Sequence, residues 1–143
     1  MRLSFAIIIV CLSTCSIVAN AQQNTVRKSV SSQSVYNTAT VTTVKGRVEK
    51  IEKVNNGRKN YGIHLMLKTA SETIAVHLGP QWYMEDKMDN IKEGSKIEVK
   101  GSKVTIDGKP AIIAQTIMSG ANTLQLRDVN GKPLWSGTGL RRK

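Results

Sequence analysis

The sequence has 143 residues, a formal net charge of +11, an aromatic content of 4% and two cysteines. A chain of this length forms one ordinary domain and is too short for two. Its basic balance, with a pI near 10.0, favours anionic partners such as nucleic acid, lipid head groups or acidic polysaccharide, whereas the low aromatic content argues against a large stacking surface for bases.

The first 21 residues have the pattern of a secretory signal peptide. Arg2 precedes an apolar run from Phe5 to Leu12, and Ala19-Asn-Ala21 supplies the small residues of a cleavage site. The apolar run is too short to span a bilayer comfortably. The sequence therefore predicts export to the periplasm, with a mature chain that begins at Gln22 and contains no transmembrane segment.

Both cysteines, Cys11 and Cys15, lie inside this signal. A mature chain that starts after them has no disulfide, no thiolate metal site and no cysteine nucleophile, despite its oxidising destination. Lipoprotein processing at Cys15 is the alternative to cleavage after Ala21, although Thr14 fits poorly in front of a lipidated cysteine.

Residues 22–40 are rich in Gln, Asn, Ser and Thr without periodicity, which predicts a disordered leader. The domain is expected to start at Val41. Val44 to Val54 then forms a long strand, in which Gly46 indicates a bulge or a sharp coil. Asn55-Asn-Gly57 is a strong turn signal after it.

Two segments with strict alternation of apolar residues predict a hairpin at the centre of the chain. The apolar positions are Ile63, Leu65 and Leu67, followed by Ile74, Val76 and Leu78. A turn between Ala70 and Ser71 pairs them in order, from Leu67 with Ile74 to Ile63 with Leu78. The same register sets His64 opposite His77, the two histidines of the chain, on the outer face, with Met66 diagonally adjacent.

The second half of the chain continues with a short helix and further strands. Pro80 opens a helix over residues 81–90, whose stripe of Met84, Met88 and Ile91 is interpreted as a core-capping face rather than a methionine metal site. Three further patterns predict a strand from Ser95 to Ile106 broken by Gly101, a strand from Lys109 to Met118 after the turn Asp107-Gly108, and a last hairpin from Leu124 to Trp135 around Asn130-Gly131.

This order of strands and helix is that of an OB-fold. The predicted fold is all-β with one short helix, a five-stranded OB-fold-like barrel plus a small C-terminal hairpin. The predicted domain spans residues 41–137, and residues 138–143 form a basic tail.

Three longer motifs resemble a family of small exported bacterial OB-fold proteins. They are Val76-His-Leu-Gly-Pro-Gln-Trp-Tyr83, Asp107-Gly-Lys-Pro-Ala-Ile-Ile-Ala114 and Leu126-Arg-Asp-Val-Asn-Gly-Lys-Pro-Leu-Trp135. The resemblance covers about residues 41–137. Members are mostly uncharacterised, and some are labelled as DNA-binding or magnetosome-associated proteins, so the resemblance implies fold and compartment more than activity.

The hairpin is also loosely similar to periplasmic OB-fold copper/silver chaperones, which bind Cu(I) through one His and two Met, with a Trp against the metal. His64, Met66 and His77 would offer a comparable soft site, since imidazole and thioether suit copper. Trp82 is the candidate stacking residue. The paired Met-x-Met of those chaperones is absent here. Surface hydrogen bonding is the alternative role of the histidines.

Two other kinds of binding stay open. Lys45, Arg47, Lys100 and Lys103 are candidate anion-binding residues for nucleic acid or another polyanion, and an open sheet edge would suit a protein–protein adaptor. No nucleophile elbow, metalloprotease helix or phosphate-binding glycine loop is present in the sequence. The expected function is that of a non-enzymatic binding or accessory protein, with copper as the candidate cofactor.

Overall fold

The computed structural model describes residues 36–57 and 60–137. The predicted signal peptide (1–21), most of the predicted leader and the basic tail (138–143) lie outside the described residues. No helix in the described part of the chain is long and apolar enough to cross a membrane.

The described chain is built mainly from β-strands. In order, these are β1 (Val41–Asn55), β2 (Tyr61–Lys68), β3 (Thr73–Pro80), β4 (Lys96–Ile106), β5 (Lys109–Ser119) and β6 (Asn122–Gln125). One α-helical turn, α1 (Gln81–Met84), follows β3, and 3₁₀ turns cover Thr38–Thr40 and Glu85–Lys87.

Pairing between β3 and β5 closes the sheet into a barrel. The strand order is β3-β2-β1-β4-β5-β6, and Ala75 to His77 pair in parallel with Ala111 to Ile113. Five strands closed in this order, with a helix between β3 and β4, form the predicted OB-fold barrel. β6 begins two residues before the start of the predicted last hairpin at Leu124. It pairs with residues Thr116 to Ser119 of β5, past the part of β5 that pairs with β3.

Two glycines let the long strands take part in two pairings each. β1 pairs with β4 up to Arg47 and with β2 from Arg47 onward. A Cβ on Gly46 would lie 2.5 Å from the carbonyl oxygen of Lys68, so only glycine allows this close approach. The bulge itself lies between Val48 and Lys50, not at Gly46 as expected, whereas the irregularity of β4 does fall at Gly101.

The central hairpin has the predicted register over most of its length. Leu65 pairs with Val76 and His64 pairs with His77. The predicted pairing of Ile63 with Leu78 is wrong, because a register shift between Ile63 and His64 sets Ile63 against Gly79. The six apolar side chains of the two strands are still buried in one core, since the shift does not turn them away from the interior.

The helix after Pro80 is shorter than the predicted 81–90. One α-turn ends at Met84 and continues as a 3₁₀ turn, as expected for a segment too short to be stable by itself. The apolar stripe nevertheless caps the core as predicted: Met84 and Ile91 are buried, and Met88 packs against the same cluster.

Residues on the N-terminal side of Val41 also belong to the fold. The backbone N–H of Asn37 donates to Ser102 Oγ at 3.0 Å, and the Thr40 and Ser102 hydroxyls are 2.9 Å apart. Tyr36 packs against Gly131, where it would overlap an added Cβ. Contacts with the barrel and the C-terminal hairpin therefore extend on the N-terminal side of Val41 to Tyr36.

Candidate functional site

His64 and His77 form a stacked pair on the wall of the barrel. Their ring centroids are 3.9 Å apart and the ring planes are tilted by 31°. The pair exists because β2 and β3 set the two residues directly opposite each other, where side chains on one face meet. Both rings are half-buried, and so less exposed than an outer-face position suggests.

Burial keeps both imidazoles neutral at neutral pH. Burial lowers the pKa of His64 from its usual value, against an opposing effect of Glu52. The pKa of His77 falls to about 4, chiefly through burial and further through the positive charges of His64 and Arg127. A neutral imidazole has one ring nitrogen with a free lone pair, which is the form that binds metal ions.

The neighbouring strands continue the row of side chains on either side of the pair. Glu52 of β1 lies opposite His64, and Ile113 of β5 lies beside His77. Glu52 is ion-paired with Lys50 at 2.8 Å, which holds the pKa of its carboxyl below the usual value. The position of Glu52 follows from the alternation along β1, but only once the β1–β2 register is known.

Met66 lies two residues beyond His64 on β2 and therefore on the same face of the hairpin, opposite Ala75 of β3 and Lys50 of β1. Its side chain is half-buried. Within residues 36–57 and 60–137, no group of three or more His, Cys, Asp and Glu side chains is arranged to hold a metal ion. A metal site here therefore depends on the two imidazoles together with the thioether.

The stacked arrangement has a consequence for coordination. The lone pairs of the two imidazoles lie in two neighbouring ring planes, which are tilted by only 31°, and do not point at one another. Shared coordination of one ion requires the rings to turn about χ2. The backbone register need not change for this rotation, because it fixes the Cα positions alone.

Trp82 does not accompany the histidines. Its ring packs edge-on against Tyr83 at 5.9 Å, and among the described residues it has no ring contact with His64 or His77. Trp135 lies nearer to this part of β3, since a Cβ on Gly79 would meet its indole ring at 2.7 Å. Trp82 and Trp135 both belong to an aromatic cluster through Tyr83.

Arg127 is a buried cation that the sequence did not single out. It is 0% exposed, and its Nη1 donates to the carbonyl oxygens of Leu78, at 3.1 Å, and Ala114. Its Nε and Nη2 have no hydrogen-bond partner among the described residues. Burial lowers its pKa to about 10. No local sequence pattern predicts that this arginine is buried, because its partner carbonyls come from two strands that are distant in the sequence.

The four candidate anion-binding residues do not form one group. Lys45 and Arg47 of β1 pair with the β4 stretch that leads to Lys100. Lys103 lies apart and contacts Glu72 of the β2–β3 turn at 3.3 Å. The sequence analysis missed Lys96, which lies directly opposite Arg47 and could have been found from the alternation along β4.

A shallow groove lies beside these residues. It has a volume of about 560 Å³ and is lined by Lys45, Gly46, Arg47, Lys96, Ile97, Glu98, Met118 and Gly120. Lys45 forms an ion pair with Glu98 at 3.1 Å, and Arg47 donates to the Gly94 carbonyl at 2.9 Å.

Most of the net positive charge lies outside the described residues. The basic residues outside them are Arg2, Arg27, Lys28, Arg58, Lys59, Arg141, Arg142 and Lys143, whereas all 10 acidic residues lie inside. The described barrel is therefore close to charge balance, and the strongly basic character belongs to the two ends of the chain and the β1–β2 loop.

Comparison with known proteins gives one family match. The sequence profile of a family described as the MamS/MamX magnetosome protein family matches residues 40–124. No curated protein matches the sequence. A solved structure described as the dimeric N-terminal domain of PriB protein from Thermoanaerobacter tencongensis is similar with a TM-score of 0.46 and 12% identity, over 59% of this chain and 99% of that chain. The strand pairing of the chain itself, rather than this similarity, defines its fold.

Proposed function

Since the chain belongs to the MamS/MamX magnetosome protein family, we propose that it is a non-enzymatic, exported accessory protein of that family that binds a copper-type metal ion at His64 and His77. The stacked, half-buried histidine pair is the observation on which this proposal rests. The hairpin already sets the two imidazoles side by side, so shared coordination of one ion needs rotation of the rings about χ2 but no change of the backbone.

The chemistry of the neighbouring groups supports a soft or borderline metal. Both histidines are neutral at neutral pH, so a metal ion does not have to displace protons from them. Met66 supplies a thioether beside the pair, and nitrogen with sulfur ligands suits copper better than hard cations such as Mg²⁺. Ion pairing with Lys50 makes Glu52 less available as a ligand.

Export to the periplasm is part of the proposal. Its support is the basic, apolar and small-residue pattern of residues 1–21. Fractionation of cells that express the full chain, followed by N-terminal sequencing, tests it. A periplasmic product that begins at Gln22 is expected; a product lipidated at Cys15 or a chain that keeps residues 1–21 would overturn this part.

The metal proposal is tested by titrating the chain from Gln22 with Cu(I), under anaerobic conditions, and separately with Cu(II). A chromophoric chelator competes for the metal and reports affinity, and imidazole NMR signals report the site. Because the chain has two histidines, each ring can be followed by itself. One ion per chain is expected, with both ring signals shifted together by diamagnetic Cu(I) and broadened together by paramagnetic Cu(II).

Three variants locate the site. His64→Gln and His77→Gln should each weaken binding by about tenfold or more, and Met66→Leu should weaken Cu(I) more than Cu(II), because thioethers prefer the softer ion. Lys53→Gln, on an exposed position of β1, is the matched control and should bind as the unchanged chain does. Equal binding by the unchanged chain and a double His→Gln variant would overturn the proposal.

Binding of a polyanion such as nucleic acid is the second candidate function. It is favoured by the basic residues of the β1–β2 loop, Arg58 and Lys59, and of the chain ends, since the β1–β2 loop contributes to oligonucleotide binding in OB-folds. Affinity for a single-stranded oligonucleotide should then fall steeply with salt. It should also fall in Arg58→Gln/Lys59→Gln and stay unchanged in the histidine variants. Salt-independent binding would count against this candidate.

A further inference from the structure

The groove beside β1 and β4 combines positive charge with an exposed apolar side chain. Lys45 and Arg47 flank Gly46 on β1. Lys45 lies opposite Glu98 of β4, and Arg47 lies opposite Lys96. We propose that this groove docks an extended acidic segment of a partner protein, at a site separate from the histidine pair.

The charge of the groove is positive after its internal ion pair is counted. Glu98 is the acidic residue among the groove-lining residues, and Lys45 already pairs with it. Arg47 uses one N–H on the carbonyl of Gly94 and keeps its full charge. Lys96 forms no ion pair within the described residues, and Lys100 extends the same strand. The charge left over is complementary to carboxylates.

The spacing of these cations fits an extended peptide. Lys45 and Arg47 are two residues apart on one strand, which sets them about 6.6–6.8 Å apart along the strand axis. Alternate side chains of an extended peptide have the same spacing, so acidic residues at every second position can meet both cations.

The apolar part of the groove favours a polypeptide over a phosphate chain. Met118 is 40% exposed and lies opposite Glu98 in the β4–β5 pairing, where its flexible thioether can pack against varied side chains. The described residues that line the groove include no aromatic residue, so they offer bases no ring to stack on.

Recognition of charge in this groove uses side chains. In this stretch β4 has strand partners on both sides, β1 and β5, so it leaves no edge for an added strand. Residues 41–46 of β1 pair with β4 alone among the described strands. Side-chain recognition predicts that affinity depends strongly on charge and falls with salt.

The test uses a short labelled peptide with Glu at every second position and Val between, titrated against the chain from Gln22 and followed by fluorescence anisotropy. Lys45→Glu/Lys96→Glu should weaken binding by about tenfold or more. The matched control, Lys53→Glu/Lys109→Glu, makes the same change of charge at exposed residues outside the groove and should change affinity by less than about threefold. Met118→Ala should weaken binding without altering its salt dependence.

Three outcomes would overturn the proposal. Equal weakening by both double variants means that only net charge matters. Tighter binding of an oligothymidine with the same dependence on Lys45 and Lys96 makes the groove a nucleic-acid site. Self-association abolished by the groove variant, with no peptide binding, makes a second copy the occupant. Circular dichroism melts of every variant show whether the barrel is folded, and His64→Gln should leave peptide affinity unchanged.

Discussion

The guanidinium carbon of Arg127 lies 4.9 Å from the ring centroid of Trp135, over the face of the indole. The Nη1 of Arg127 also donates to the carbonyls of Leu78 on β3 and Ala114 on β5. These carbonyls lie just past the parallel pairing of the two strands. Arg127 thus holds β3 and β5 together at the point where these two strands diverge. It also links the C-terminal hairpin to the barrel.

Loss of this guanidinium should destabilise the barrel strongly. Arg127→Ala removes the donor of two buried carbonyl oxygens and leaves a cavity, which together should lower the free energy of unfolding by about 3 kcal/mol. Urea denaturation followed by tryptophan fluorescence measures the change. Arg47→Ala, at an exposed arginine, is the control and should cost less than about 1 kcal/mol. If the two variants lose similar amounts of unfolding free energy, Arg127 does not hold β3 and β5 together.

A side chain at Gly46 should force β1 and β2 apart. The Cβ of Gly46→Ala would lie 2.5 Å from the Lys68 carbonyl oxygen and 2.9 Å from Leu67 Cγ, so we expect a loss of about 2 kcal/mol. Thr43→Ala, at an exposed position of the same strand, serves as the comparison. Thermal melts of both variants check this, and an unchanged melting temperature for Gly46→Ala would contradict the close strand contact.

The methionine stripe should contribute to stability according to burial. Met84 is 0% exposed within the core cluster, whereas Met88 is only partly buried against it. Met84→Ala should therefore cost about 3 kcal/mol, and Met88→Ala clearly less. Chemical denaturation of the two variants compares the losses directly. Copper affinity should be unchanged in both variants. Weaker copper binding by either variant would indicate that the methionines of this stripe contribute to the metal site.

Acid should destabilise the fold through His77. Its pKa is about 4 in the folded chain and 6.5 when unperturbed, so between these values the unfolded chain binds a proton that the folded chain does not. The free energy of unfolding should therefore fall as pH is lowered from 6.5 to 4, by about 1 to 2 kcal/mol after allowance for the partial exposure of the ring.

Urea denaturation of the metal-free protein across this pH range tests the effect. His77→Gln should remove part of the pH dependence and leave that of the carboxylates. Parallel curves for the two proteins would show that the folded environment does not disfavour protonation of His77. His64, whose pKa is also lowered by burial, should give a change of the same sign.

The sequence was most informative where one physical constraint acts along a single strand. The alternation of apolar residues in β2 and β3 allows one register that buries Leu65 with Val76, and the pairing of His64 with His77 follows from it. A bulge adds one residue without changing this alternation of burial, so the shift at Ile63 could not be read from the pattern.

Features that depend on separate parts of the chain could not be predicted in this way. Arg127 binds carbonyls of two strands far from it in sequence, and Lys103 meets Glu72 through the turn of another hairpin. Trp82 follows His77 closely in the sequence, but the α-turn after Pro80 carries it to Tyr83. Proximity along the chain predicts contacts only while the chain stays in one element.

The two ends of the domain meet in a way that bears on how it folds. The Tyr36 hydroxyl contacts Gln115, 79 positions away, and the Tyr36 ring rests against Gly131. A ribosome must therefore finish nearly the whole domain before Tyr36 can make these contacts. Formation of these contacts should be a slow step of refolding, since closing a long loop costs chain entropy before such a contact can form.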